Sequence, residues 1–276
     1  MFWLQRMTAV ATITWVLESE VFPESHGPLR LAILDRGHAI IEWNDEWWFA
    51  GIPTKLPTSR VIFHGSLGNA SLIADRLNWS PGSFCPTNAF RCSSWYESAR
   101  QWLVHSHWYF ATADELVENA ASIGAAIGSP TAFFVRPDSP LKPFSGRVVD
   151  VEGLTLSALD YGFYFDDASL PVVAAPLREI GDEWRFVIVA DTVVSGSAYD
   201  PTTRSPRPAD PGSTATKFAS QIAANINAPA DVYVLDVCEC DGDLRLLELN
   251  PFGGADLYAS DALAIVDAVS KLVLDG

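Results

Sequence analysis

Two acidic side chains and one amide near the end of the chain have the types and the spacing to bind a divalent cation. Asp236 lies within one alternating apolar segment, and Glu248 and Asn250 close the next one. The sequence 241–243 between them reads Asp-Gly-Asp, which is a strong signal for a hairpin turn. Carboxylate and amide oxygens are the ligands that a hard cation such as Mg²⁺ prefers. We expect two paired strands, at 232–240 and 244–250.

The register of this hairpin decides whether the three side chains share one face. With 241–243 as a three-residue loop, Asp236 lies opposite Glu248 at roughly 5 Å between Cβ atoms, where like charges repel each other. Asn250 points to the same face because strand side chains alternate, and a bound cation would relieve the repulsion. A two-residue loop would place the acids on opposite faces. The three-residue loop also pairs Leu235 with Leu249, Val237 with Leu247 and Glu239 with Arg245.

The alternative to a metal site is that both acids are solvated residues on an exposed sheet face, which is where most acids lie. Two further groups of residues bear on this choice. Arg136 ends a hydrophobic segment, and Lys142 follows in a loop that also contains Ser145 and Gly146. Two cations, hydroxyls and a glycine suit a lid over a polyphosphate, because Arg offers bidentate contacts and Lys a compact charge. An ordinary surface loop, with its cations paired to some of the 34 acids, is the other interpretation.

Glu183 and Arg185 form the second group, since alternation places them on one strand face. An acid that accepts hydrogen bonds from ribose hydroxyls, beside an Arg that neutralises phosphate charge, suits a nucleotide site. A cross-strand ion pair explains the same residues equally well.

The composition argues against some classes of partner. The 276 residues include 18 Lys and Arg against 34 Asp and Glu, a formal net charge of −16. Binding to nucleic acid or to an acidic membrane surface needs a basic footprint that this balance does not provide. No apolar run reaches the length of about 20 residues that spans a bilayer. Segment 8–17 contains threonines and no small-x-small cleavage site, so we expect a first strand there rather than a secretory signal.

The 4 cysteines form no dense disulfide framework. We expect buried, reduced thiols in a cytoplasmic protein. A zinc site built from them is the alternative, although their spacing suits it poorly.

The rest of the chain predicts short strands interspersed with helices. Strand 61–63 runs through a glycine turn at 64–69 into a helix, which is how an α/β sheet forms its ligand-binding edge. Thr112 and Glu115 have the spacing of a capping box, and the Pro/Gly/Ser-rich patch 80–83 marks a candidate boundary. The other predicted strands are 10–17, 31–34, 38–43 and 131–136, with a strand, linker and hairpin over 172–199. The predicted helices are 69–77, 93–104, 112–127, 214–228 and 261–273.

The order of these motifs resembles the ATP-grasp superfamily. Within it, the chain looks like a clade of small single-chain members with F-V-R-P-x4-K-x-F-x-G, then E-W-R, then E-L-N-P-F; here these lie at 134–146, 183–185 and 248–252. The resemblance covers about 130–260. It implies an α/β (α+β) fold with three subdomains, two of which sandwich the nucleotide. These are an N-terminal α/β subdomain (1–85), a central lid subdomain (86–173) and a C-terminal metal- and nucleotide-binding subdomain (174–276).

The resemblance also implies a role for each matching residue. The Mg²⁺ ligands (Mn²⁺ being an alternative ion) are Asp236, Glu248 and Asn250. The ATP contacts are Arg136 at the strand end, Lys142 and Ser145 in the lid, Ala175, Pro176 and Leu177 in a hinge that binds adenine, and Glu183 at the ribose. Arg185 and Lys142 are the catalytic cations. The acceptor substrate is assigned to Gly253, Gly254, Tyr258 and Ser66. Two departures stand out: the lid has one glycine, and Val234 occupies a position where relatives often carry an arginine.

The activity that the resemblance implies is an ATP-dependent carboxylate–amine ligase. It would form an amide or peptide bond through an acyl phosphate and release ADP and phosphate. The substrates would be a small-molecule or peptide carboxylate and an amine, and an oligomer is compatible with the sequence. Two other activities stay open: a nucleotide-binding module without catalysis, and a kinase-like phosphoryl transferase on the same scaffold. Aromatic residues in the first 110 are expected to be core, with a pocket for an apolar substrate as the alternative.

Overall fold

The computed structural model describes residues 12–52, 56–159, 167–199 and 205–276. Three sheets follow one another along this part of the chain: four strands, then four, then five. The early part of predicted strand 10–17, at residues 10 and 11, lies outside the described residues. Within the described ranges, no helix combines the length and the apolar character needed to cross a membrane.

The first sheet is parallel, with strand order β2-β1-β3-β4. Its strands are β1 (Thr14–Leu17), β2 (Ala39–Glu42), β3 (Arg60–His64) and β4 (Ser80–Gly82). Its helices are α1 (Pro23–Asp35), α2 (Trp47–Ala50) and α3 (Leu67–Arg76). The strands predicted at 38–43 and 61–63 and the helix at 69–77 are confirmed. The patch predicted as a boundary forms the edge strand β4.

The strand predicted at 31–34 is wrong, because these residues lie inside α1. Leu29, Ala32 and Ile33 are buried at helical spacing, whereas Leu31 and Leu34 are among the most exposed apolar side chains. A continuous run of four apolar residues does not distinguish a strand from part of a helix. A proline at the helix start was the missed signal.

The helix predicted at 93–104 is also wrong beyond its first turn. Only α4 (Cys92–Trp95) is helical, and turns follow it. The chain then runs beside a later strand: Leu246 N donates to Trp102 O at 2.7 Å, and Val104 N donates to Leu246 O at 3.0 Å. These backbone bonds to a strand edge draw the segment away from a helix.

The second sheet is antiparallel, with order β5-β8-β6-β7. The capping box of Thr112 and Glu115 is confirmed, but the helix it opens breaks at Asn119 into two. The elements of this part are β5 (Tyr109–Thr112), α5 (Ala113–Glu118), α6 (Ala120–Ala126), β6 (Ala132–Pro137), β7 (Arg147–Asp150) and β8 (Pro171–Ala175), with a 3-10 turn at Leu156–Leu159.

The third sheet is antiparallel, with order β11-β10-β9-β12-β13. Its strands are β9 (Ile180–Val189), β10 (Thr192–Tyr199), β11 (Pro206–Pro208), β12 (Val232–Cys240) and β13 (Asp243–Pro251). Its helices are α7 (Thr214–Ala223) and α8 (Ala262–Asp275), and a 3-10 turn at Phe252–Gly254 follows β13. The predicted helices at 214–228 and 261–273 are confirmed, the first ending earlier than expected.

One apolar core joins the first sheet to the third. Trp15 and Leu29 pack in the same buried cluster as Val187, Val234 and the inner face of α8. The carboxyl edge of the first sheet is thereby held against the loop that leaves β13. The predicted subdomain division at 85/86 and 173/174, the second falling within β8, stays a prediction.

Candidate functional site

The turn between β12 and β13 has two residues, not three, so the predicted loop is wrong. Cys240 pairs with Asp243, and Asp241 and Gly242 have φ values of 55° and 83°. Positive φ at both central residues is the signature of the tightest common hairpin turn, and Asp-Gly favours it. Consequently Glu239 pairs with Leu244 rather than with Arg245, and the predicted Glu239–Arg245 and Val237–Leu247 pairs do not form.

A β-bulge restores the register before the acidic residues are reached. Val237 pairs with Leu246 while Asp236 pairs with Glu248, so Leu247 is the extra residue in β13. A bulge places two residues opposite one and shifts the following side chains by one face. Asp236 therefore lies opposite Glu248, and Asn250 shares their face. The predicted juxtaposition is confirmed, although the turn length assumed for it is wrong.

Arg185 holds Asp236 in a bidentate ion pair across the neighbouring strands β9 and β12. Its Nε and Nη2 donate to the two carboxylate oxygens at 2.8 Å each. Nη1 donates to the carbonyl of Asp256 at 3.0 Å, and the guanidinium lies 4.7 Å from the ring centre of Tyr258. Burial alone would lower the pKa of Arg185, but the attraction of Asp236 outweighs it and raises that pKa. Arg185 thus makes the cross-strand ion pair that the sequence allowed, with Asp236 rather than with Glu183.

Glu248 is held by two cations from the second sheet and its following loop. Arg136 Nη2 donates to Oε1 in a short contact, and Lys142 Nζ donates to Oε2 at 3.0 Å. Lys142 Nζ also donates to Asn250 Oδ1 at 3.1 Å, and Asn250 Nδ2 donates to Asp236 Oδ2 at 3.0 Å. Burial would raise the pKa of Glu248, but Arg136 and Lys142 outweigh burial and lower it to about 2. The three predicted metal ligands and three predicted cations therefore form one connected network.

The donor set fits a hard cation that is shared with phosphate. Two carboxylates and an amide oxygen converge on one sheet face, and hard cations prefer such oxygen ligands. Within the described ranges, no three His, Cys, Asp or Glu side chains form a metal-binding group. A cation here would thus take the two acids and Asn250, with the remaining ligands coming from substrate or water, as is usual for Mg²⁺.

Glu183 lies beside this network without joining it. No hydrogen bond or ion pair of its carboxylate occurs among the described residues. Burial raises the pKa of Glu183, the nearby Asp236 raises it further, and Arg185 opposes both. Its carboxylate is therefore available to hydroxyl groups of a ligand. The predicted ribose role itself stays a prediction.

The predicted hinge borders a small apolar cavity of about 100 Å³. Ala175 is the last residue of β8, and Pro176 and Leu177 follow it out of the sheet. Leu177 lines the cavity, together with Arg136, Phe134 and Val148 from β6 and β7. Ser145 is exposed beside Gly146, where a Cβ atom would come within 2.5 Å of the Phe134 ring, so this loop lies over the same aromatic side chain.

The residues predicted for the acceptor substrate do lie together, but as a packed junction. Gly65 N donates to Gly253 O at 2.9 Å, and Gly253 N donates to Ser83 O at 3.0 Å. A Cβ on Gly253 would lie 2.2 Å from Ser83 O, and one on Gly254 would lie 2.7 Å from Leu67 Cα. These glycines are required by close backbone packing. Ser66 caps α3 beside them, and the substrate roles stay predictions.

Tyr258, the fourth predicted substrate residue, lies on the other side of this loop. Its ring stacks against Tyr199 with centroids 5.9 Å apart and faces Arg185. It has a φ of 49°, a left-handed conformation that is uncommon for an aromatic residue. Tyr258 therefore borders the cation that contacts Asp236.

Two residues at the site were not identified from the sequence. Asp138 is 3% exposed and anchors the predicted lid to α4, since Ser93 N donates to its Oδ1 at 2.7 Å and Ser93 Oγ to its Oδ2 at 2.9 Å. Its position inside the motif 134–146 could have identified it. His105 lines the hinge cavity, and the incorrect helix assignment of its segment concealed it.

The four cysteines are free and buried, as expected. Burial raises the pKa of Cys85 and of Cys238 to about 12, so both are thiols at neutral pH.

A protein-family model described as an ATP-grasp domain, the third family of its clade, matches residues 75–271. No curated protein matches the chain. Among solved structures, the D-cycloserine synthetase DcsG has a TM-score of 0.67 at 15% identity, with 95% of this chain and 100% of that chain covered. The ATP-grasp ligase PsnB, complexed with a phosphomimetic variant of its minimal precursor, Mg and ADP, has a TM-score of 0.60 at 14% identity, with 97% and 99% covered.

The D-alanine–D-alanine ligase from Bacillus anthracis has a TM-score of 0.56 at 15% identity, with 96% of this chain and 95% of that chain covered. At these identities the structures show a shared fold. The predicted fold class, an α/β (α+β) fold of the ATP-grasp type, is confirmed by the family match and by this likeness.

Proposed function

Because the chain belongs to this family of ATP-grasp domains, and is thereby an ATP-grasp enzyme, we propose that it is a carboxylate–amine ligase that consumes ATP. The observation that carries the proposal is the network in which Asp236, Glu248 and Asn250 meet Arg185, Arg136 and Lys142 on one sheet face. Oxygen ligands for a metal and cations for phosphate are the two components that phosphoryl transfer requires.

Asp236, Glu248 and Asn250 are proposed to hold Mg²⁺, with Mn²⁺ as an alternative ion of similar ligand preference. When bound, the metal would neutralise charge on the phosphate oxygens. The three cations contribute in the same sense. Arg185 and Lys142 would contact the transferred phosphoryl group, and their charges would stabilise the charge that develops on it. Arg136, 12% exposed and fixed by Glu248, would contact the nucleotide from the floor of the cleft.

The base and the ribose are proposed to lie beside the hinge. The backbone of Ala175, Pro176 and Leu177 would supply hydrogen-bond partners for adenine, with the apolar cavity receiving the ring. Glu183 is free of protein partners in the described structure, so it can accept hydrogen bonds from the ribose hydroxyls.

The loop with Lys142 and Ser145 is proposed to cover the phosphates as a lid. Phosphoryl transfer to a substrate carboxylate would form an acyl phosphate and ADP, and attack by an amine would then form the amide and release phosphate. Water would destroy the acyl phosphate, so excluding it is the second task of the lid. Its base is anchored through Asp138 to Ser93, and its tip reaches Glu248 through Lys142.

The substrates are proposed to be a small-molecule or peptide carboxylate and an amine. The likeness to DcsG, to PsnB and to a D-alanine–D-alanine ligase supports this range, since these names cover both small molecules and a peptide precursor. The acceptor would lie near Ser66, Gly253, Gly254 and Tyr258. The free, buried thiols are compatible with the proposed cytoplasmic location. The subdomains 1–85, 86–173 and 174–276 belong to the same proposal.

A screen for ADP release with pairs of amino acids and short peptides tests the ligase. A ligase releases ADP only when a carboxylate and an amine are both present, and mass spectrometry then finds a product lighter by one water than the pair. Hydroxylamine in place of the amine should trap the acyl phosphate as a hydroxamate. A stable phosphorylated product would instead indicate a kinase-like transferase, and nucleotide binding without ADP release for any pair would indicate a binding module.

A further inference from the structure

His105 lies in a cavity that the assigned nucleotide contacts do not explain. The segment that carries it runs beside the outer edge of β13, where backbone hydrogen bonds join Trp102 and Val104 to Leu246. The next residue of β13, Leu247, is the bulge residue, and it lines the same cavity. The edge pairing and the bulge therefore direct His105 and Leu247 into one space.

The imidazole of His105 is buried and lacks a partner. Its side chain is 7% exposed, and Nδ1 makes no hydrogen bond in the described part of the chain. The ring stacks on Phe134 with centroids 5.7 Å apart and an interplanar angle of 21°. Burial lowers the pKa of His105 to about 4, helped by Arg178 and Arg136, so the ring is neutral at pH 7. A neutral imidazole offers one donor and one acceptor, and a buried polar atom without a partner is costly.

The other polar side chains of the cavity are unsuited to accept a hydrogen bond from a base. Arg136 and Arg178 are donors only. Tyr96 directs its hydroxyl at Cys92 within a fully buried contact. The remaining lining is aliphatic or aromatic, and Val148, Leu177 and Ile180 are at least 36% exposed. The cavity thus offers flat apolar walls, arginine donors and one imidazole acceptor.

We propose that His105 is a base-contacting residue that accepts a hydrogen bond from the 6-amino group of the adenine ring and thereby favours ATP over purine nucleotides without that group. The inference rests on the proposed function, since it requires the base to enter this cavity. The apolar walls bind any purine, the arginines serve its ring nitrogens, and His105 recognises the amino group. It adds a specificity-determining side chain to a pocket whose other proposed contact is hinge backbone.

Titration calorimetry with Mg²⁺ present tests the inference through two ligands, ATP and purine riboside triphosphate, which lacks the 6-amino group. For the wild-type protein we expect ATP to bind about tenfold more tightly, the value of one buried hydrogen bond. In His105→Phe the ring still stacks on Phe134 but has no acceptor. We expect ATP affinity to fall about tenfold and the two ligands to become equivalent. His107→Phe, at an exposed position two residues away, is the matched control and should retain the wild-type preference.

The outcomes separate the inference from the proposed function. Wild-type protein that binds neither nucleotide overturns the proposed function and the inference with it. Wild-type protein that binds both equally overturns the inference alone, whatever the variant does. An unchanged preference for ATP in a folded His105→Phe protein, judged by its thermal unfolding, also overturns the inference alone.

Discussion

Arg185 grips both carboxylate oxygens of Asp236, at 2.8 Å each, from the adjacent strand of the same sheet. Glu248 is held in the same manner by Arg136 and Lys142. Each acid proposed as a metal ligand is thus neutralised by a cation that the proposed function assigns to phosphate. Under this proposal, binding of the metal–nucleotide complex exchanges partners: carboxylates turn to the metal and cations to the phosphates. The predictions below follow from that exchange and from the packing that supports it.

Glu248→Gln should abolish ADP formation while leaving the protein folded. The loss should be at least roughly 100-fold, since even residues that merely orient metal ligands contribute about 10–100-fold. Arg136 loses the charge that compensates its burial, so unfolding should become easier by about 3 kcal/mol. That is less than the total stability of about 5–15 kcal/mol that is typical of folded domains. ADP release and urea unfolding measure the two effects. Wild-type turnover by a folded variant would remove Glu248 from the site.

Lys142→Ala should weaken ATP binding by roughly tenfold or more, because a charged hydrogen-bond donor to phosphate is lost. Affinity for adenosine, which lacks phosphate, should not change. Lys217→Ala is the matched control, since Lys217 is exposed on α7. Calorimetric titration of the three proteins with both ligands decides the matter. Equal ATP affinity in the Lys142 variant and the control would exclude the proposed lid contact.

Much of this site could be predicted from the sequence because residue types determine it directly. Asp236, Glu248 and Asn250, with their partners Arg136, Lys142 and Arg185, were all identified from motif order and strand alternation. The hairpin shows the limit of such reasoning. An Asp-Gly pair determines the two-residue turn, whereas the compensating bulge at Leu247 depends on pairing with Trp102–Val104 and on the neighbouring strands, none of which is local.

The errors elsewhere have the same origin. The segment 31–34 is apolar enough for a strand, and only its packing below α8 selects the helix. His105 was missed because its backbone is held by a strand edge more than 100 positions away in sequence. Local propensity is a weak guide wherever a tertiary contact determines the conformation.

The buried histidine pair His26–His64 should make stability depend on pH. His26 Nε2 and His64 Nδ1 lie 2.9 Å apart. Burial, and then repulsion from His26, lowers the pKa of His64 to about 3. The unfolded chain binds a proton below about pH 6.5 that the folded protein refuses, so stability falls as the pH decreases from 6.5 towards 3.

Between pH 7.5 and 5.5, His64 alone should reduce the free energy of unfolding by about 1.4 kcal/mol. Denaturant unfolding at both values, for wild type and His64→Gln, measures it. The variant should lose less stability than wild type by about that amount. Equal losses would show that His64 titrates normally in the folded protein, contrary to its burial.

Gly253→Ala should destabilise the junction between the first sheet and the loop after β13. The new methyl group would lie 2.2 Å from Ser83 O and 3.1 Å from Phe63 O, and backbone atoms cannot move aside as a flexible side chain does. We expect a cost of about 1–3 kcal/mol, typical of overpacking. Gly27→Ala in α1 is the control, since no atom lies within 4 Å of its added carbon, and it should stabilise by about 0.4–1 kcal/mol. Thermal unfolding of both variants gives the comparison, and a neutral Gly253→Ala would mean that this packing is loose.

The most direct test of the account is a calorimetric titration with ATP in the presence and absence of Mg²⁺, for wild type and for Asp236→Asn. The account predicts that Mg²⁺ increases the ATP affinity of wild-type protein about tenfold or more, because the acids can bind the metal only when phosphate engages their cations. In Asp236→Asn, that increase should disappear. An ATP affinity that ignores Mg²⁺ in the wild-type protein, or an increase that survives in the variant, would contradict it.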